Sequence, residues 1–214
     1  MSFDCLALHY RWLETISFGY ALQRARLCWI DEIFRPRRAL LCGEGNGRFL
    51  CELLRAHPAT EIDCLDSSAQ MLDVTRHRVH HLCPGSIRRI NFIHHDVRSW
   101  TLQNSYDLLV THFFFDCFSR DDVKLIAARL ARAANSNAAW LLADFVVPQE
   151  GTVARIHARA WLRVMYLFFR FATGITATEL VDPTPYLEAN GFAHAAQKLS
   201  HAGMLRSDLF RAAR

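Results

Sequence analysis

Three glycines that alternate with other residues mark the part of the chain best suited to hold a ligand. Gly43, Gly45 and Gly47 directly follow a short apolar run at residues 39–42. Glycine tolerates positive φ angles and lets a ligand approach the backbone closely. An apolar helical pattern begins after Gly47, so the first N–H groups of a helix would face any anionic group above this loop. The spacing predicts a loop that binds a nucleoside-type ligand.

An aspartate follows the next apolar run. Asp66 lies nineteen residues after Gly47. A carboxylate at the end of a second parallel strand can accept hydrogen bonds from both hydroxyls of a ribose. The dinucleotide fingerprint GxGxxG requires glycine at position 48, which is arginine here. The pattern therefore favours a nucleoside cofactor and leaves an NAD-dependent oxidoreductase as the weaker alternative.

Candidate proton acceptors follow two later apolar runs. Thr111, His112 and Asp116 come at the end of one run, and Asp144 lies in the next. A neutral imidazole at His112 could take a proton from a substrate hydroxyl. The alternative is that His112 hydrogen-bonds the backbone or lines the cofactor pocket. We predict His112 and Asp116 as the catalytic candidates, with that alternative open.

Histidines also cluster at two places, but their spacing does not suit a metal. His77, His80 and His81 share a helical pattern, and His94 and His95 are adjacent at the end of an apolar run. Adjacent residues on a strand point to opposite faces. No Cys/His spacing of the zinc type accompanies either cluster. We expect no metal site.

The elements that would position these residues alternate in type. Strand patterns occupy residues 39–42, 61–65, 90–94, 106–113 and 138–147, and helical patterns separate most of them. Strands that are nearly all apolar imply a parallel sheet covered on both faces. Two helices within residues 3–34 precede the sheet, and a helix over 153–172, a short helix over 183–190 and a hairpin follow it. The prediction is an α/β fold: a Rossmann-like, doubly wound, seven-stranded mixed sheet with an antiparallel last strand, plus N-terminal helices.

The composition of the chain limits the classes of protein to which it can belong. The 214 residues are 51% hydrophobic and 21% charged, which suits one globular domain and excludes a disordered chain. The net charge of +4 is spread over separated arginine clusters, so we expect a solvated surface and no nucleic-acid partner. Seven cysteines without a CxxC pair are typical of reduced thiols, and no apolar stretch is long enough for a membrane span. These features predict a cytoplasmic protein.

The motifs together resemble the class I S-adenosylmethionine-dependent methyltransferases, specifically the small-molecule branch that includes quinone-biosynthesis enzymes. The resemblance rests on the glycine loop, Asp66, the Ser68-Ala69-Gln70-Met71 run, the His95-Asp96-Val97 run and an opening Phe3-Asp4 with Tyr10. It implies S-adenosylmethionine as cofactor and S-adenosylhomocysteine as product. The cofactor-binding residues it implies are Tyr10, Gly43, Glu44, Gly45, Asn46, Gly47, Asp66, Ser67, Met71, Asp96, Val97 and Thr111.

The resemblance assigns each end of the cofactor to a part of this chain. The glycine loop would hold the methionine part, Asp66 the ribose, and Met71 the adenine face. Asp96 would accept from the adenine amine and the Val97 N–H would donate to the ring. The alternative for Asp96 is a turn or helix cap, a role that aspartate often has.

One residue departs from the family pattern. The family usually has an acid two residues before the first glycine, where this chain has Leu41. Glu44 either reaches the same cofactor ammonium from inside the loop or lies exposed on a turn. The sequence leaves both interpretations open.

The resemblance also divides the single domain into parts. Residues 1–36 form a helical cap, 37–148 the cofactor-binding core, 149–182 a lid-like helical insertion, and 183–214 the C-terminal helix and hairpin. The insertion is apolar on more than one helical face, which fits burial against the first helices, a homodimer surface or a wall of the acceptor pocket. We expect a mostly apolar cavity lined by at least one of Tyr10, Trp161, Met165, Tyr166 and Phe169.

The expected function is methyl transfer to a small apolar or aromatic organic acceptor. A polar acceptor buried against aromatic side chains would leave its hydrogen-bonding groups unpaired. Two alternatives stay open: a non-catalytic binding protein of the same fold that holds an adenosyl cofactor, and the NAD-dependent oxidoreductase.

Overall fold

A single mixed sheet forms the centre of the protein. The computed structural model describes residues 20–101, 105–146 and 180–213. Within these ranges seven strands pair in the order β3-β2-β1-β4-β5-β7-β6, with β7 antiparallel to both of its neighbours. The strands are β1 (Arg38–Cys42), β2 (Glu61–Asp66), β3 (Ile90–His94), β4 (Tyr106–His112), β5 (Ala134–Phe145), β6 (Phe192–Ser200) and β7 (Leu205–Ala212). The predicted fold class is confirmed.

Helices cover both faces of this sheet. They are α1 (Ala21–Leu27), α2 (Arg48–Ala56), α3 (Ala69–Leu82), α4 (Arg120–Arg132) and α5 (Thr184–Ala189). Serine caps start two of them: the Ser68 hydroxyl accepts from the Met71 N–H at 3.2 Å, and the Ser119 hydroxyl accepts from the Asp122 N–H at 3.3 Å. None of the described helices has the length and apolarity that a membrane crossing requires.

The core lies in two layers because successive strand residues face opposite sides of the sheet. Leu41 and Val110 face α2 and α3, whereas Leu40 and Leu109 face α4. All four side chains are at most 2% exposed. Burial of each such side chain contributes about 1.5–3 kcal/mol. This two-sided burial explains why the parallel strands read as continuous apolar runs.

Two element boundaries differ from the prediction by more than two residues. β5 begins at Ala134 rather than at residue 138, since an irregularity in its pairing with β4 inserts polar residues that do not read as strand. The helical spacing of residues 22–33 is also interrupted: α1 ends at Leu27, and only a 3-10 turn at Ile30–Glu32 follows. The predicted first helix and the helix over 153–172 lie outside the described residues.

A buried carboxylate joins the strands beneath the site. Asp63 of β2 is 2% exposed. Its oxygens accept from the Tyr106 hydroxyl at 2.7 Å and from the Asn91 side-chain amide at 3.0 Å. The Arg38 guanidinium lies 3.9 Å away. A buried charge needs such partners, so this group ties together side chains from four strands.

Removal of the Tyr106 hydroxyl is expected to destabilise the protein. Tyr106→Phe leaves a buried carboxylate oxygen without its donor, which costs about 1.5–3 kcal/mol of the free energy of unfolding. Urea denaturation measures this change. Tyr20→Phe is the matched control, since Tyr20 is 83% exposed. Equal stability of the Tyr106 variant and the wild type would contradict the role of this hydrogen bond.

Candidate functional site

The carboxyl ends of the parallel strands meet at one edge of the sheet, and the predicted site residues lie there. Cys42 of β1 is in register with Leu65 of β2, and Asp66 is in register with His94 of β3. Pairing continues beyond the strands, because the Gly43 N–H donates to Leu65 O at 2.9 Å. Ligands of open α/β sheets bind at this edge.

The glycine loop between β1 and α2 has a left-handed backbone at each glycine. The φ angles are +64° at Gly43, +71° at Gly45 and +77° at Gly47. A Cβ on Gly43 would lie 2.7 Å from the Phe114 ring, and one on Gly47 would lie 3.1 Å from Thr75 Cγ2. Both ends of the loop therefore need glycine for conformation and for packing.

The middle glycine differs from the outer two. A Cβ on Gly45 would have Met71 Cε, at 3.7 Å, as its only described neighbour within 4 Å. Glycine is required there by the left-handed backbone rather than by crowding. This stretch of loop backbone is thus open to close approach, and Met71 lies beside it. The predicted packing of Met71 on the adenine stays a prediction.

Glu44 is buried at the start of α2. It is 8% exposed, and its Oε1 accepts from the Leu50 N–H at 3.0 Å. Leu50 is in the first turn of α2, where N–H groups lack partners within the helix, and a negative charge is favourable at this end of the helix dipole. The interpretation of Glu44 as an exposed turn residue is therefore wrong. Leu41, in the position of the family's acid, is a fully buried core residue.

Asp66 is held in a defined position at the end of β2. Its Oδ1 accepts from the Ser68 N–H at 2.9 Å, and Ser68 in turn caps α3. The carboxylate is partly exposed at the edge of the sheet, next to the exposed Ser67. This arrangement suits hydrogen bonds from a diol, so the position fits the ribose contact that the sequence predicts.

Asp96 has a strong local partner. Its Oδ1 accepts from the Arg98 N–H at 2.8 Å, and the Arg98 guanidinium binds both carboxylate oxygens. Hydrogen bonds from the Arg98 side chain hold the pKa of Asp96 below its usual value, against a smaller opposing effect of burial. The structure thus places Asp96 as a turn cap, and Val97 is a buried core residue at 5% exposure. Their contacts with adenine stay predictions.

Thr111 and His112, two predicted site residues at the end of β4, point to opposite faces of the sheet. Thr111 is 1% exposed, and its hydroxyl accepts from the Trp140 Nε1–H at 2.8 Å in the core. The Thr111 hydroxyl is thus engaged in the core, and its contact with the cofactor stays a prediction. His112 points to the opposite face, with its ring 4.6 Å from that of Phe49 in α2.

His112 is a buried, neutral imidazole. It is 6% exposed, and its Nδ1 has no hydrogen-bond partner within the described residues. Burial lowers the pKa of His112 well below 6.5, and the positive charge of Arg26 lowers it further. Arg26 itself stacks over the Phe113 ring at 5.1 Å. The imidazole is consequently uncharged at neutral pH.

Asp116 and Asp144 place two carboxyl groups at the ends of β4 and β5. Asp116 lies in a 3-10 turn at Phe115–Cys117, and burial raises its pKa to about 6. Asp144 is 1% exposed, and burial raises its pKa well above the usual range, with a further rise from the charge of Asp116. Both carboxyl groups therefore resist ionisation at this edge of the sheet.

Two contacts of the loop were not predicted from the sequence. Thr75 and Arg78 of α3 donate hydrogen bonds to the carbonyl oxygens of Gly45 and Asn46. The signal that could have identified them is their spacing from Met71, because residues at i, i+4 and i+7 share one helix face. Tyr10 lies outside the described residues. Within those residues no three His, Cys, Asp or Glu side chains are grouped as metal ligands would be.

A family match covers the core of this site. Residues 39–137 match the family model described as a methyltransferase domain, a little under half of the chain. This segment contains the glycine loop, Asp66, Asp96 and the residues that follow β4. No curated protein sequence matches the chain.

Solved structures share the fold at low sequence identity. The mitomycin 7-O-methyltransferase MmcR has a TM-score of 0.70 and 19% identity, over 100% of this chain and 61% of its own. A putative O-methyltransferase from Nostoc punctiforme has a TM-score of 0.70 and 18% identity, over 96% and 58%. CalO1, a methyltransferase in calicheamicin biosynthesis in its SAH-bound form, has a TM-score of 0.67 and 20% identity, over 97% and 57%.

Residues 39–137 are thus similar to a methyltransferase domain, and the solved structures share the fold of the chain. The chain spans about three fifths of the length of the three methyltransferases named above. The assignment to the quinone-biosynthesis branch stays a prediction.

Because the pKa of His112 is lowered in the folded protein, we expect the free energy of unfolding to depend on pH. As the pH falls through 6.5, the unfolded chain binds a proton at this residue while the folded protein does not, so the free energy of unfolding falls. Between about pH 7.5 and about pH 5.5 the contribution is about 1.4 kcal/mol. Urea denaturation at both pH values gives the change in the free energy of unfolding with pH for the wild type and for His112→Gln. The difference between these two changes measures the contribution of His112.

His77→Gln is the control, because His77 is an exposed histidine on α3 and its replacement leaves the buried imidazole of His112 in place. Identical pH dependence in wild type and His112→Gln would show that His112 titrates normally in the folded protein.

Proposed function

We propose that the protein is an S-adenosylmethionine-dependent methyltransferase that acts on a small organic acceptor and releases S-adenosylhomocysteine. The single observation that carries this proposal is the left-handed glycine loop at the sheet edge that also holds Asp66. The methyltransferase-domain match spans both features. The SAH-bound form of a protein with the same fold adds support.

We propose contacts between the residues at the sheet edge and most of the length of the cofactor. In this proposal the loop at residues 43–47 holds the methionine end, Asp66 binds the ribose hydroxyls, and Met71 packs on the adenine. Asp96 and Val97 form the adenine end, where the ligand amine has to share the Asp96 carboxylate with Arg98. When bound, S-adenosylmethionine supplies a methyl group on a sulfonium, which is an excellent leaving group.

The chain's own tasks are to align the acceptor, exclude water and receive a proton. Asp116 is the proposed general base, since its pKa of about 6 leaves it mostly ionised at neutral pH and still basic enough to accept a proton. His112 is proposed to accept a hydrogen bond as a neutral imidazole, because burial opposes its protonation. Burial raises the pKa of Asp144 well above its usual value, which would limit the negative charge around Asp116.

The nature of the acceptor is part of the proposal. We infer an apolar or aromatic acceptor from the aromatic residues in 153–172, which lie outside the described residues together with Tyr10. The division at residues 36, 148 and 182, with a lid over the acceptor, is likewise proposed. A non-catalytic adenosyl-binding protein of the same fold is the second candidate, favoured by the buried Leu41 in place of an acid.

Calorimetric titration distinguishes the cofactor classes. We expect S-adenosylmethionine and S-adenosylhomocysteine to bind, and NAD not to bind. A cofactor at a hundred times its Kd stabilises the folded state by about 2.7 kcal/mol, so the melting temperature rises. Asp66→Ala is expected to lose most of this rise, because the ribose loses its acceptor.

Asp73→Ala is the matched control, since Asp73 is an exposed aspartate on α3 that pairs with Arg76. An unchanged thermal shift in Asp66→Ala would rule out the assigned ribose contact. The protein is then incubated with S-adenosylmethionine and a metabolite mixture that supplies acceptors. Formation of S-adenosylhomocysteine in this assay distinguishes the enzyme from the non-catalytic binder.

The pH dependence of catalysis tests Asp116. Its pKa is raised to about 6, so the carboxyl is protonated and inactive as a base below this value, and kcat/KM is expected to rise through about pH 6. Asp116→Asn is expected to remove this rise and to lower kcat/KM about a hundredfold or more. A wild-type rise that persists in the variant would assign the base to another group.

The free energy of unfolding is expected to change with pH in the direction opposite to kcat/KM: the contribution of Asp116 to stability falls where its contribution to catalysis rises. A raised pKa means that the folded state binds the proton more tightly than the unfolded chain, whose value is 3.8. The contribution of Asp116 to the free energy of unfolding therefore decreases as the pH rises from 3.8 to about 6. This result is expected if catalysis, rather than stability, requires the carboxyl at this position.

A further inference from the structure

Two side chains of α3 hold the glycine loop from the side of the helix. The Thr75 hydroxyl donates to Gly45 O at 2.7 Å, and the Arg78 Nε–H donates to Asn46 O at 2.6 Å. Thr75 is 1% exposed and Arg78 is half-buried. Because the two residues are three positions apart, both lie on the helix face that meets the loop. Consecutive peptide units of the loop are thus each fixed by one donor.

The anchored carbonyls determine where the neighbouring N–H groups point. A trans peptide unit is planar, with its C=O and N–H in opposite directions, and the described chain contains no cis peptide bond. With Gly45 O and Asn46 O directed at α3, the N–H groups of Asn46 and Gly47 point away from α3. Two backbone donors are therefore aimed in a common general direction, and such donors suit an anionic group.

The glycines make this anchoring necessary. Gly45 and Gly47 have left-handed φ angles, and glycine reaches many other conformations at little cost. A loop that is free to adopt them would have to be ordered when a ligand binds, which weakens affinity. Contacts that hold the loop in one conformation before binding remove that cost.

We propose that Thr75 and Arg78 are positioning residues of the cofactor site. They fix the loop carbonyls so that the N–H groups of Asn46 and Gly47 are presented to the carboxylate end of the cofactor. This inference rests on the proposed function and deepens it. Neither side chain touches the reacting atoms, so both act on cofactor affinity through the loop.

Paired variants separate hydrogen bonding from packing. Thr75→Val keeps the shape of the side chain and removes the donor, whereas Thr75→Ser keeps the donor. We expect Thr75→Val to weaken S-adenosylhomocysteine binding about tenfold in calorimetry and Thr75→Ser to stay near the wild type. Arg78→Met is expected to weaken binding similarly, with Arg78→Lys in between.

The neighbouring Arg76 provides a matched control on the same helix. Arg76 is exposed and pairs with Asp73, so Arg76→Met is expected to leave cofactor affinity unchanged. In steady-state assays, KM for S-adenosylmethionine is expected to rise in Thr75→Val and Arg78→Met while kcat at saturation stays near the wild-type value.

A readout without cofactor tests the anchoring directly. Backbone amide NMR relaxation of the ligand-free protein is expected to show lower order parameters at Asn46 and Gly47 in Thr75→Val and Arg78→Met, and wild-type values in Arg76→Met. If Thr75→Val does not fold, the Arg78 variants decide the outcome, since Arg78 is only half-buried. Unchanged order parameters and unchanged Kd in folded variants would overturn the proposal, as would equal losses of affinity in Thr75→Ser and Thr75→Val.

Failure of the proposed function gives a different result. If wild type binds neither S-adenosylmethionine nor S-adenosylhomocysteine, the cofactor assignment fails, and the role of Thr75 and Arg78 in that site fails with it. If the wild type binds the cofactor and the variants lose only thermal stability, Thr75 and Arg78 have only a structural role, which would contradict the proposal.

Discussion

The left-handed backbone of the loop at residues 43–47 is the constraint on which the rest of the site depends. The chain has to leave the buried strand β1 and start α2 within this loop, and it does so with positive φ at three glycines. Each outer glycine packs against another element, Gly43 against Phe114 and Gly47 against Thr75. The positions of the β4 loop and of α3 are therefore coupled to the conformation of the glycine loop.

Charge at this edge of the sheet is arranged around the same loop. Glu44 lies inside it and compensates the start of α2, so a buried carboxylate is part of the loop's own structure. The groups beyond β4 and β5 are shifted toward their neutral forms by burial: His112 resists protonation, whereas Asp116 and Asp144 resist ionisation. Among these three groups, Asp116, with its pKa raised to about 6, is the one that would change charge near the proposed cationic cofactor close to neutral pH.

The sequence predicted the order of strands and helices because buried parallel strands read as apolar runs and glycine or serine marks the loops and caps between them. It located the loop and Asp66, whose positions follow from strand ends alone. It did not predict the polar start of β5, where pairing with β4 is irregular. Nor could it assign side-chain partners such as Leu50 N–H for Glu44 or Arg98 for Asp96, since folding decides which of several neighbours each carboxylate meets.

The central claim, that the glycine loop and Asp66 form an adenosyl cofactor site, is tested most directly by amide NMR of the isotope-labelled protein titrated with S-adenosylhomocysteine. The account predicts that the largest shifts occur at residues 43–47 and 66–68, with smaller shifts in the β6–β7 hairpin. Saturating ligand that leaves the loop amides unchanged, or shifts confined to the hairpin, would contradict it.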